Sequence, residues 1–132
     1  MRGVDTNVVV RYLTADDNRQ LAAAERVFEQ CREQREPLFL PAIVLCELVW
    51  VLTRRYGLTK TVIVQGLEQI LEMDQFEVEN EALVRRALTM FRNGKGNFSD
   101  YLIGEISLHH GCRDIVTFDC ELKGSAGFTL LS

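Results

Sequence analysis

No window of this sequence approaches the roughly 20 consecutive apolar residues of a membrane-spanning helix, so no membrane association is expected. An Arg/Lys-led signal segment is also missing. The N-terminus runs straight into apolar, β-branched residues, and the expected location is the cytoplasm. The four cysteines, Cys31, Cys46, Cys112 and Cys120, contain no C-x-x-C pair, which argues against a zinc site or a disulfide framework. They fall mostly within apolar patterns and read as reduced core thiols. Histidine is scarce: His109 and His110 stand together before Gly111, where a cation suits the end of a helix better than a metal site. Excess positive charge is absent as well. A net charge of −4 argues against binding nucleic acid through an overall field, although it leaves room for a nucleic-acid enzyme whose acids are concentrated in one site. The glycine-rich Asn93–Gly96 stretch lacks both the G-K-[ST] ending and the preceding strand of a phosphate-binding loop.

What remains is an ordinary soluble composition, 47% apolar and 26% charged, on a chain of 132 residues that can bury a core without staples. With no repeat, linker or low-complexity segment, residues 1–132 are expected to form a single domain.

The first ten residues organise the rest. Asp5, Thr6 and Asn7 interrupt a run of β-branched residues, which predicts the carboxyl end of a buried parallel strand with Asp5 at the mouth of the sheet. The plainer alternative is that Asp5 caps the following turn or helix. Asp16, Asp17 and Asn18 supply helix-start chemistry, and Leu21, Ala24, Val27, Phe28 and Cys31 follow at helical spacing. Leu38–Leu40 is then a short buried strand. Pro41 opens a helix that ends at Gly57 and is apolar nearly all round, which predicts burial, with Trp50 and Tyr56 as core or dimer-face residues rather than base-stacking platforms. Thr59 caps a further helix, Phe76–Val78 is a strand, Glu79 and Asn80 open another helix, and Asn97 or Ser99 caps the next. Gly104 inside that helix predicts close backbone packing. Asp114–Asp119 is a strand ending in an acid, and Phe128–Leu131 is a last short strand. Strands separated by helices predict an α/β fold of three α/β/α layers around a mainly parallel sheet of four to five strands.

Four acids then stand out. Asp5 and Asp119 end strands, while Glu47 and Asp100 lie near the starts of helices on the expected ligand-binding edge. Glu47 sits amid apolar neighbours, so it is expected to need a cation or to be held neutral; the plainer reading is a partly exposed Glu paired with Arg11 or Arg54. An all-carboxylate set favours Mg²⁺ or Mn²⁺ over zinc and suits phosphodiester hydrolysis. Arg11, Arg54, Arg55, Lys60, Lys95 and Lys123 could meet the phosphates of such a substrate, and none is singled out.

The segments Val4–Val8, Pro41–Glu47, Phe98–Ile103 and Val116–Asp119 resemble, in order and approximate spacing over essentially the whole chain, the motifs of PIN-domain nucleases. More narrowly, the sequence is similar to the VapC-type ribonuclease toxins of prokaryotic toxin–antitoxin pairs. The resemblance implies that Asp5, Glu47, Asp100 and Asp119 are catalytic metal-binding acids and that Asn7 and Thr117 orient ligands or water beside them. It also implies an RNA substrate, 3′-hydroxyl and 5′-phosphate products, a homodimer, and a small cognate antitoxin whose tail enters the acidic groove. Asp119 occupies a position at which members of the family vary, which implies a role in tuning metal affinity there.

A phosphatase forming a phospho-aspartate would want a second Asp two residues after Asp5, where Asn7 stands. A receiver domain would need its acid at the end of the middle strand, which instead runs into Pro41. Two alternatives of the same fold remain: a housekeeping RNA-processing nuclease, and a non-catalytic scaffold that binds RNA or protein.

Overall fold

Capping residues and prolines divide the chain into short elements, and the computed structural model describes all of residues 1–132. It contains two compact units, Met1–Glu79 and Asn80–Ser132.

The first unit repeats a strand followed by two helices. It comprises β1 (Arg2–Gly3), α1 (Thr6–Thr14), α2 (Asn18–Glu33), β2 (Leu38–Leu40), α3 (Ala42–Arg54), α4 (Lys60–Leu71) and β3 (Phe76–Val78). The strands form one wholly parallel sheet in the order β1-β2-β3, with Arg2 opposite Leu38 and Leu38 opposite Phe76. Each crossover is a helical pair, as parallel pairing requires a long return. All three strand ends therefore point to one edge, where Asp5, Pro41 and Glu79 emerge. The core is filled by Val9, Val10, Leu38, Leu40, Leu45, Leu48 and Ile70, and Phe28 packs between Tyr12 and Phe76 at ring-centroid distances of 4.9 and 5.7 Å.

In the second unit α5 (Glu81–Asn93) and α6 (Phe98–His109) pack together and precede β4 (Ile115–Thr117), a 3₁₀ turn at Cys120–Leu122 and β5 (Phe128–Leu130). The two strands are again parallel. Phe98, Tyr101 and Leu122 are buried, and Phe91 meets Phe98 edge-on at 6.2 Å. A Cβ on Gly104 would stand 3.0 Å from the Phe128 ring, so this glycine does mark close backbone packing. His109 and His110 close α6 as expected, before Gly111 at φ +90°.

The structure departs from the sequence expectations at several points. The first strand ends at Gly3, and a helix not expected from the sequence, α1 with Val8–Val10 in it, precedes the one begun at Asp17 and Asn18. Burial of Val9 and Val10 and capping by Asp5 outweigh the β preference of a three-valine run. Helix α3 is not buried all round: Ile43 and Trp50 are 66% and 56% exposed, and Glu47 lies on the same open stripe. Tyr56 follows the helix in the turn. Of the cysteines only Cys31 is fully buried, whereas Cys112 and Cys120 are exposed; all four are free thiols. No helix is long and apolar enough to cross a membrane.

Candidate active site

Asp5 stands two residues beyond the end of β1 and is the N-cap of α1, where its Oδ1 accepts the Thr6 N–H at 2.7 Å. The capping reading of this residue thus holds; the strand before it is parallel as expected but exposed, and it ends at Gly3 rather than at Asp5. The neighbouring Thr6 is nearly buried, and its hydroxyl donates to Glu47 Oε1 at 3.1 Å. One threonine therefore contacts both carboxylates. Glu47 is exposed, so the expected buried charge does not arise. Nor does it pair with Arg11 or Arg54; Arg11 instead turns to Gln20, Asp16 and Tyr56. Burial, and then the charge of Glu47, pushes the adjacent Cys46 thiol up from its ordinary range.

Helix α3 is itself anchored at this edge. Pro41 offers no side-chain cap, and Glu79, immediately after β3, accepts the Ala42 N–H through Oε1 at 2.9 Å. Thr6 and Glu79 are the residues that reasoning from sequence missed. The signal for Glu79 was available: like Asp5 and Asp119, it is an acid within two residues of the end of a strand.

In the second unit Asp100 is half-buried in the first turn of α6, where its Oδ2 accepts the Asn97 N–H at 2.8 Å. The buried Tyr101 hydroxyl accepts the Gly96 N–H at 2.9 Å and fixes the approach to that turn. Asp119 is exposed; its Oδ1 accepts the Glu121 N–H at 2.9 Å, and its own N–H donates to the Thr117 hydroxyl at 3.0 Å. Thr117 thereby holds the backbone of the acid beside it. Asn7 is exposed and makes no comparable contact; it lines a groove of about 390 Å³ with Val4, Val8, Arg11 and Ala24.

A common pattern links the four acids. Each has one carboxylate oxygen tied by a short internal hydrogen bond, and the partner oxygen receives none. None is in an ion pair with Lys or Arg. Oriented, uncompensated carboxylates are the donor chemistry that a hard divalent cation takes. No three His, Cys, Asp or Glu residues cluster tightly enough to hold a metal ion.

The parallel α/β topology and strand-end acids define a class, and comparison with known proteins names it. The PIN domain family profile matches residues 4–126, and the chain belongs to that family, whose three-layer α/β/α fold its six helices and parallel strands represent. Among curated proteins, it is 28% identical over 123 residues to the VapC ribonuclease of Aquifex aeolicus (strain VF5), spanning 93% of this chain and 90% of the relative.

Proposed function

We propose that this protein is a divalent-metal-dependent ribonuclease that hydrolyses RNA phosphodiester bonds and serves as the toxin of a toxin–antitoxin pair. The observation that carries the reading is the set of four acids, Asp5, Glu47, Asp100 and Asp119, each with one oxygen tied and the other without an internal donor. Family membership and the similarity to a VapC ribonuclease support it. The match to residues 4–126 crosses the boundary between the two compact units, which supports treating 1–132 as one PIN domain.

On this reading the four acids hold Mg²⁺ or Mn²⁺, with Thr6 orienting Asp5 and Glu47 and Thr117 supporting Asp119. Asn7 completes the polar surround of Asp5. The ion supplies, when bound, a more acidic attacking water and charge stabilisation for the departing 3′-oxygen. The chain's own task is positional: capping bonds at Asp5, Asp100 and Asp119, and the Thr6 hydroxyl at Glu47, fix one oxygen of each carboxylate and leave the other for the cation, so little reorganisation is needed on binding. RNA is the substrate, the active form is a homodimer in the cytoplasm, and a small cognate antitoxin blocks the acidic groove.

The test is cleavage of total RNA by the purified chain, freed of any partner, in Mg²⁺, Mn²⁺ or chelator, beside Asp5→Asn. Cutting that needs metal and is lost in the variant is expected. Folded, metal-supplied wild-type protein that cuts no RNA would return the chain to the class of PIN-like binding scaffolds.

A further inference from the structure

Residues 47, 50 and 54 lie on one face of α3 at the i, i+3, i+7 spacing that stacks side chains along a helix. They are Glu47, Trp50 and Arg54, all exposed, on the side opposite the buried Val44, Leu45, Leu48 and Leu52. Trp50 is the chain's only tryptophan and is 56% exposed. Its indole takes part in no hydrogen bond or ring pair, and Arg54 has no ionic partner.

We propose that Trp50 is a base-stacking platform that positions the RNA strand next to Glu47, with Arg54 meeting a phosphate of the same strand. The inference rests on the ribonuclease reading and deepens it. An exposed indole beside a guanidinium is the pairing by which single strands are held without sequence readout: the ring stacks on any base and the cation follows the backbone. Along α3, Glu47 and Arg54 are about 10 Å apart, within reach of one short strand running out from the scissile phosphate. Burial of this face under a second copy would instead take Glu47 out of reach of cation and substrate. Glu47 and Arg54 would also lose solvent.

Because Trp50 is the sole indole, its emission reports on this face alone. The experiment titrates an unlabelled single-stranded RNA into the Asp5→Asn protein with Mg²⁺, which prevents turnover while Asn keeps the α1 cap. Indole emission is followed, and binding is measured in parallel by the anisotropy of a labelled RNA. Quenching that saturates with binding is expected, together with about 5- to 150-fold weaker binding by a Trp50→Ala variant of the same protein. Trp50→Phe should retain most of the affinity. RNA that binds without changing the indole, or a Trp50→Ala variant that binds as tightly, overturns the proposal. So does emission that changes on dilution of the protein without RNA, in step with dissociation of a dimer. Cleavage by the wild-type chain is scored separately. Cutting with an unmoved indole defeats the stacking platform alone, and quenching without cutting defeats the ribonuclease reading while retaining the platform.

Discussion

The Thr6 hydroxyl donates to Glu47 Oε1 across 3.1 Å, joining residues 41 apart in sequence. Since the Thr6 N–H also donates to Asp5 Oδ1, the first turn of α1 sets the orientation of two carboxylates on two different helices. This linkage is local in space and invisible in sequence.

Thr6→Val retains the branched shape and removes the hydroxyl. The backbone bond to Asp5 survives, whereas Glu47 loses the donor that fixes its headgroup. RNA cleavage should fall by about 10- to 100-fold, the usual cost of losing a ligand's supporting hydrogen bond. Stability should change by no more than about 1 kcal/mol, because Glu47 is exposed and water replaces the lost donor. Thr6→Ser should retain most activity. Cleavage rates beside urea melts read both effects, and a Thr6→Val enzyme with undiminished activity would exclude any role of Thr6 in orienting Glu47.

Asp5 carries two functions that substitution can separate. Asparagine caps helices about as well as aspartate, so Asp5→Asn should unfold within about 1 kcal/mol of wild type and yet lose metal-dependent cleavage. Asp5→Ala removes the cap as well and should cost about 0.5–2 kcal/mol in addition to the activity. Equal destabilisation by both variants in denaturant titrations would mean that the acid's charge, and not its capping bond, secures the start of α1.

Local signals made much of this architecture legible. Pro41 and Gly57 bracket α3, Thr59 caps α4, and Gly104 lies against Phe128, all as read from sequence. Helix α1 was not legible because Val8, Val9 and Val10 favour a strand by themselves. Their helicity depends on the Asp5 cap and on burying one side of the turn. The exposure of Glu47 was hidden for a related reason: hydropathy cannot tell that Ile43 and Trp50 are left uncovered, so an apolar helix reads as buried on every face. The four acids were recognisable by order and spacing. Thr6, which reaches Glu47, and Glu79, which anchors the start of α3, act through contacts between segments far apart in sequence.

Tyr56 donates to Asp16 Oδ2 at 2.7 Å, and this bond, followed by the Thr14 hydroxyl, holds the Asp16 carboxyl below its ordinary value of 3.8. Arg11 adds a weaker charge contribution. A carboxyl with a depressed folded-state pKa stabilises the native state above its unfolded value, and that stability is lost as the pH falls through the folded value. Tyr56→Phe should therefore lower Tm at neutral pH, and the difference from wild type should shrink as the pH drops below 3.8. A difference that stays constant through that range, measured by thermal melts across acid pH, would assign the effect to Tyr56 packing or to its bond with Arg11.

At Gly94 the constraint is steric. Its φ of −110° suits any residue, but an added Cβ would overlap the Tyr101 hydroxyl and stand 2.9 Å from the Met90 carbonyl oxygen. Tyr101 is buried, and its hydroxyl accepts the Gly96 N–H, so the ring cannot withdraw without leaving that donor unpaired. Gly94→Ala should destabilise by about 1–3 kcal/mol, the range for forced overpacking. Tyr101→Phe alone should cost about 1 kcal/mol through the lost acceptor. In the double variant the overlapping oxygen is gone, so the combined cost should be less than the sum of the two single costs. Additive costs in urea titrations would place the strain of Gly94→Ala against the Met90 carbonyl or the ring carbon that phenylalanine retains, and not against the hydroxyl.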